Sequence, residues 1–181
     1  MKWMIASDIH GSAYYCRQML TAFDREEADR LLLLGDVLYH GPRNDLPKEY
    51  APKEVIELLN ARKEKILCVR GNCDTEVDQM VLQFPILADY AVLPVENRLI
   101  YVTHGHKINM TQPLPFAPGD IHVPAWTPFG DGNLYLNPGS TSIPKENSAH
   151  SYMTLENGHI DWKTLEGEIY HEEEVLLSGR K

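Results

Sequence analysis

Cysteine is scarce in this chain and follows no pattern. The three in 181 residues, Cys16, Cys68 and Cys73, include no Cys-x-x-Cys, which argues against both a disulfide framework and a zinc knuckle. That usage fits a reducing compartment, so a cytoplasmic protein is expected. Positive charge is also in deficit: 17 Lys and Arg stand against 26 Asp and Glu, for a net charge of -9 and a pI near 5.3. This balance argues against broad electrostatic attachment to nucleic acid or to an anionic membrane. Long apolar runs are missing as well. The stretch after Lys2 stops at Asp8, short of a signal-peptide core and far short of a membrane span. There is no internal repeat or low-complexity tract, and Glu172-Glu173-Glu174 reads as a solvated face. What remains is a chain of a length suited to one domain, residues 1–181, with a substantial core.

What the chain does have is a series of short apolar runs, each closed by polar groups of metal-ligand type. Met4-Ile5-Ala6 leads to Ser7-Asp8-Ile9-His10-Gly11, Leu31-Leu32-Leu33-Leu34 to Gly35-Asp36, Ile66-Leu67-Cys68-Val69 to Arg70-Gly71-Asn72-Cys73-Asp74, and Leu99-Ile100-Tyr101-Val102 to Thr103-His104-Gly105-His106. The runs read as buried strands. Asp8 and His10 are two apart, so an extended backbone would aim both at one point. A single Asp after a strand is commonly the N-cap of the next helix. Four tips delivering Asp, His, Asp, Asn and His are harder to explain that way, because ligand sites in α/β sheets gather at the carboxyl ends of strands.

Between these tips the pattern is strand and helix. Ser12 is a candidate N-cap for a helix carrying Tyr15, Met19, Leu20 and Phe23 inward, and Pro52 suits the first turn of a second helix with Val55, Ile56, Leu58 and Leu59 inward. The long polar loop after Asp36 holds His40, Arg43 and Asn44, candidates for touching a phosphate or ribose. Asp74 can be read as a cap for a short helix through Val77 and Met80, but Asn72 as ligand with Asp74 as its support is the preferred reading. Cys73 has no dedicated base nearby, leaving it between nucleophile and packing. After Asp89 the pattern turns to strand and strand, with turns at Pro94-Val95-Glu96-Asn97, Gly130-Asp131-Gly132-Asn133 and Glu156-Asn157-Gly158. The backbone of Asn137-Pro138-Gly139-Ser140-Thr141-Ser142 could face an anion or form a tight crossover.

In this order, the motifs Asp8-x-His10, Gly35-Asp36, Gly71-Asn72-Cys73-Asp74, Thr103-His104-Gly105-His106 and Asn137-Pro138-Gly139-Ser140 resemble the calcineurin-like metallophosphoesterases, in particular small bacterial phosphodiesterases of the YfcE type. The resemblance spans nearly the whole chain. It implies a four-layer α/β/β/α sandwich of two mixed β-sheets flanked by helices, two divalent ions (commonly manganese), and a small phosphodiester as substrate. Carried over, Asp8 and His10 hold the first ion, Asp36 bridges both, and Asn72 and His104 hold the second. The family closes its site with Gly-His-x-His, and His122 aligns with the second His. The first has no counterpart, because Gly119-Asp120-Ile121 runs directly into His122. Either the chain lacks those residues or the sequence omits them; loss of a central strand would remove core, which favours omission. Cys73 stands where the family often has a His that serves the leaving group.

The resemblance further implies that a hydroxide held between the ions attacks phosphorus in line with the leaving alkoxide. Cys73, His106, His40 and Arg43 are then the candidates for the remaining catalytic contacts, with His106 read first as support for the metal ligands. Two alternatives stay open: a phosphomonoesterase, and a catalytically weakened protein-interaction module of the same fold, as in retromer-type scaffolds. Exposed strands in the second half suit a homodimer.

Overall fold

A computed structural model describes residues 1–95, 98–107, 122–129 and 133–174. Of the turns expected at Pro94-Val95-Glu96-Asn97 and Gly130-Asp131-Gly132-Asn133, Pro94, Val95 and Asn133 belong to strands instead, paired across hairpins; the rest of both turns, and the junction at Gly119-Asp120-Ile121, lie outside the described residues. Chain order is β1 (Trp3–Ala6), α1 (Ala13–Arg25), β2 (Arg30–Leu33), α2 (Pro52–Asn60), a 3-10 turn at Lys63–Lys65, β3 (Ile66–Cys68), α3 (Glu76–Val81), β4 (Ala91–Val95), β5 (Arg98–Val102), β6 (Ala125–Phe129), β7 (Asn133–Asn137), β8 (Ser151–Glu156), β9 (His159–Thr164) and β10 (Ile169–Glu174). The acidic run 172–174, read as a solvated face, forms the end of β10.

Six strands make one mixed sheet in the order β10-β9-β8-β1-β2-β3, with β1, β2 and β3 parallel. Its register explains why the strand runs are apolar throughout. Leu67, Leu32, Ile5, Met153 and Trp162 pair in one row across the sheet. That row faces a core shared with Leu93 and Val102 of the β4–β5 hairpin. The alternate residues Met4, Ala6, Leu31 and Leu33 face the other way, onto Cys16, Met19, Leu20 and Phe23 of α1 and Val55 and Leu59 of α2. Ser12 caps α1 by accepting the Tyr15 N–H at 3.2 Å, and Pro52 occupies the first turn of α2.

The α/β sandwich is thus present, and its second β-layer has a form of its own. Among the described residues that layer consists of two antiparallel hairpins, β4–β5 and β6–β7, which are not paired to each other. The family's Gly-His-x-His strand would lie in this part of the chain, and no described residues supply it.

A largely buried charge cluster fastens the end of α1 to the central strands β1, β8 and β9 of the sheet. Glu26 accepts hydrogen bonds from Lys2 at 2.7 Å, the Tyr152 hydroxyl at 2.7 Å, and Lys163 at 3.0 and 3.1 Å. Burial alone would raise its carboxyl, but these donors overrule it and hold the group at about 2, against an ordinary 4.5. A depressed folded value stabilises above the unfolded value, and the gain is lost as pH falls toward the folded one. Glu26 is therefore expected to contribute about 3 kcal/mol at neutral pH, lost between about pH 4.5 and 2. Urea midpoints should fall over that acid range in the parent and stay flatter in Glu26→Gln; parallel profiles would remove the assignment.

Candidate metal centre

Parallel pairing of β1, β2 and β3 sends their carboxyl ends to one edge of the sheet, and the segments beyond remain stitched together. Asp8 N–H donates to Gly35 O at 3.2 Å, His10 N–H to Asp36 O at 2.9 Å, and Gly11 N–H to Val37 O at 2.9 Å. Asp8, His10 and Asp36 all adopt left-handed backbone conformations, with φ of 60°, 48° and 54°. Such strain costs roughly 1–3 kcal/mol per residue and persists where the surrounding structure over-determines it. Here it turns three side chains inward together; all three residues are buried.

The imidazoles are oriented by the backbone. Nδ1 of His10 lies 2.8 Å from Tyr39 O, Nδ1 of His104 2.8 Å from Leu34 O, and Nδ1 of His122 2.9 Å from Ile143 O. A carbonyl only accepts, so each Nδ1 carries the proton and each Nε2 presents a lone pair. The lone pairs meet other acceptors. His10 Nε2 is 3.3 Å from Asp8 Oδ1 and 3.7 Å from Asp36 Oδ2; His104 Nε2 is 3.7 Å from Asp36 Oδ2 and 3.1 Å from Asn72 Oδ1; His122 Nε2 is 3.6 Å from Asp8 Oδ1.

Acceptors facing acceptors require a cation between them. Among the described residues, Asp8 Oδ1 and His10 Nε2 are buried without a hydrogen-bond partner. Burial opposes charge on both residues, yet proximity lowers the Asp8 carboxyl and raises the His10 imidazole from their ordinary values. The pocket therefore favours positive charge, whether from a proton or a metal ion. Neighbouring donors on one ion with bonds of ~2.1 Å stand roughly 3.0–3.4 Å apart, close to the separations found. Two groups, Asp8/His10/His122 and Asp8/Asp36/His104, each bring their ligand atoms within 4.8 Å of one another. The donor set fits divalent ions.

A family model described as the calcineurin-like phosphoesterase superfamily domain matches residues 1–158. The chain belongs to that superfamily. This phosphoesterase is 44% identical over 165 residues to phosphodiesterase YfcE of Escherichia coli (strain K12), covering 87% of this chain and 88% of that protein. It is 28% identical over 172 residues to the probable metallophosphoesterase YsnB of Bacillus subtilis (strain 168), covering 87% and 86%. Its structure matches that of the Escherichia coli phosphoesterase Yfce with a TM-score of 0.92 at 40% identity, over 97% of this chain and 100% of the other. Chaetomium thermophilum Vps29 matches with a TM-score of 0.61 at 14% identity, over 97% of each chain, a likeness of fold alone.

The remaining candidates of this phosphoesterase fall into two groups. Cys73 lies with the donors: its sulfur is within 4.8 Å of His10 and Asp36 ligand atoms, and its N–H donates to Asp36 Oδ1 at 2.7 Å. Burial, then the Asp36 charge, pushes its thiol up to about 12, which disfavours a thiolate nucleophile in the metal-free pocket. His106 is beside His104, with ring centroids 5.4 Å apart. Its Nδ1 is buried and has no hydrogen-bond partner among the described residues, and burial and His104 lower its pKa. His40 also has a buried Nδ1 without a partner among the described residues and packs edge-on to Tyr50. Arg43 is exposed and makes no hydrogen bond or ion pair among the described residues, so nothing draws it to the donors.

Three supporting features escape a reading by spacing. Asp74 does not cap α3; Thr75 does, in a capping box with Asp78. Asp74 instead accepts the N–H groups of Asp36, Val37 and Gly71 at 2.7–2.9 Å, binding the β2 and β3 tips together. The segment 140–142 offers no anion cradle, since Thr141 and Ser142 N–H donate to Ser7 O and Asp8 O and the Ser142 hydroxyl also donates to Asp8 O at 2.8 Å. Lys145 reaches Asn44 Oδ1 at 3.1 Å, joining this segment to the loop after Asp36.

Gly71 is required by contact rather than by conformation. A Cβ there would lie 2.1 Å from Asp36 Oδ1 and 2.3 Å from Asp36 N. Gly71→Ala is expected to cost about 1–3 kcal/mol by overpacking and to displace Asp36. A thermal melt paired with metal content after dialysis checks this, and an unchanged metal content would show that Asp36 had not moved.

Proposed function

We propose that the chain is a metal-dependent phosphodiesterase acting on a small phosphodiester, with two divalent ions held by the strand tips. The observation that most supports this reading is the position of Asp36 Oδ2, 3.7 Å from the Nε2 lone pairs of both His10 and His104. Asp8, His10, Asp36 and His122 would hold one ion and Asp36, Asn72 and His104 the other, with Asp36 fixing the spacing. Donors of oxygen and imidazole nitrogen suit Mn2+. When bound, such ions supply Lewis acidity and bring the acidity of water toward neutrality.

The chain's own groups then position the substrate. His106 and His40 offer donors for phosphate or leaving-group oxygens, and Arg43 adds an exposed cation at the loop after Asp36. Cys73 keeps a protonated thiol where it can face the leaving group, while its N–H orients Asp36. The net charge of -9 favours a small substrate over nucleic acid. No helix among the described residues is long and apolar enough to cross a membrane, and we place the enzyme in the cytoplasm, with a homodimer as its assembly.

The test is turnover of bis(p-nitrophenyl) phosphate against p-nitrophenyl phosphate with added Mn2+, alongside metal content after dialysis. Preference for the diester with metal retained is the expected result. Preference for the monoester would make the chain a phosphomonoesterase. Neither turnover nor retained metal would favour the interaction module, the reading to which the missing first His of Gly-His-x-His lends weight.

A further inference from the structure

Two side chains meet across 101 residues of sequence and have no part in the reading above: Asn44, in the loop after Asp36, and Lys145, in the segment after Ser142. An ammonium only donates, so the Lys145 contact at 3.1 Å fixes Oδ1 of Asn44 toward it. Nδ2 is thereby turned toward His40 O, to which it donates at 2.9 Å. One amide thus closes its own loop on one side and takes Lys145 on the other.

Each segment orients ligands proposed for the same ion. In the first, the Tyr39 carbonyl, next to His40, holds Nδ1 of His10 at 2.8 Å. In the second, Ser142 donates both its N–H and its hydroxyl to Asp8 O, and the Ile143 carbonyl holds Nδ1 of His122 at 2.9 Å. Lys145 itself donates its N–H to His122 O at 3.2 Å. The rings of His10 and His122 lie stacked, with centroids 5.4 Å apart. His104, proposed for the other ion, takes its orientation from Leu34 O instead. Among the described residues, the bond from Lys145 to Asn44 is the one hydrogen bond that joins the two segments.

We infer that Asn44 and Lys145 are positioning residues for one ion of the pair. Their contact sets the spacing between the loop that aims His10 and the segment that aims Asp8 and His122. This rests on the two-ion phosphodiesterase reading above. A group that fixes a ligand's orientation typically changes metal affinity by ~10–100-fold. Asn44 and Lys145 act one step further out, so the low end of that range, about 10-fold, is expected.

The experiment titrates metal-free protein with Mn2+ and follows free and bound ion by electron paramagnetic resonance, for the parent, Lys145→Met, Asn44→Ala and the double variant. Lys145→Met should weaken one ion about 10-fold and leave the other at its parental affinity. At intermediate Mn2+ the signal of a coupled pair should then give way to that of an isolated ion. Asn44→Ala should do at least as much, and adding Lys145→Met to it should change little, because the two residues act through one contact. Lys145→Arg, which keeps a donor for Asn44 Oδ1, should retain most of the parental affinity. Metal-free thermal midpoints within about 4 °C of the parent, as expected for loss of one exposed hydrogen bond, separate the effect from unfolding. Parental affinity for both ions in Lys145→Met would overturn the assignment while the phosphodiesterase reading stands. Equal weakening of both ions would overturn it too, as a general loosening. A parent that binds no Mn2+ would take down the phosphodiesterase reading and this inference with it.

Discussion

Asp36→Ala is expected to abolish measurable phosphodiester turnover while leaving the chain folded. Losing a group that merely orients a metal ligand typically costs ~10–100-fold, so losing the ligand proposed to be shared by both ions sets a floor of about 100-fold. The fold should survive because, among the described residues, the carboxylate accepts only the Cys73 N–H and the two apolar clusters do not use Asp36. The left-handed backbone is not relieved by the change and adds a small cost to it, since alanine is less suited to φ of 54° than aspartate. Circular dichroism, metal content and turnover on the same preparation make the check. Retention of full activity would remove Asp36 from the bridging position.

Asp74→Ala should have the largest effect on stability. The substitution removes one buried carboxylate and orphans three N–H groups, those of Asp36, Val37 and Gly71. Bonds of this charge-assisted kind contribute about 1.5–3 kcal/mol each, and part of that returns as the loops relax toward water, so a net loss of about 3–5 kcal/mol is expected. For a chain of this length that corresponds to roughly 10 °C or more in the thermal midpoint. Measurement on metal-free protein separates this from loss of bound ions. A midpoint within a degree or two of the parent would mean that the β2 and β3 tips hold together without Asp74.

These two neighbouring carboxylates differ in how far the sequence announces them. Asp36 follows an apolar run and a glycine, a local pattern that marks a strand tip, and the structure places it with Asp8, His10, Asn72, His104 and His122. Asp74 carries the same signal as any helix cap, and Thr75 takes that position instead. Its actual partners lie up to 38 residues away in the chain. The Ser142 hydroxyl, which fixes Asp8 from 134 residues away, gives no local signal at all.

The sequence by itself determined the series of apolar strands, the two amphipathic helices and the ligand types at four strand tips, because period, capping and residue chemistry are local properties; the departure before His122 shows only against the family's motif. Only the tertiary structure decided which nitrogen of each imidazole faces the pocket, that Asp74 ties two tips together, that Thr141 and Ser142 spend their N–H groups on Ser7 and Asp8, and that the second layer, among the described residues, stands as two hairpins. Those outcomes depend on which acceptor or surface arrives from a distant part of the chain, and spacing along one segment carries no information about that arrival.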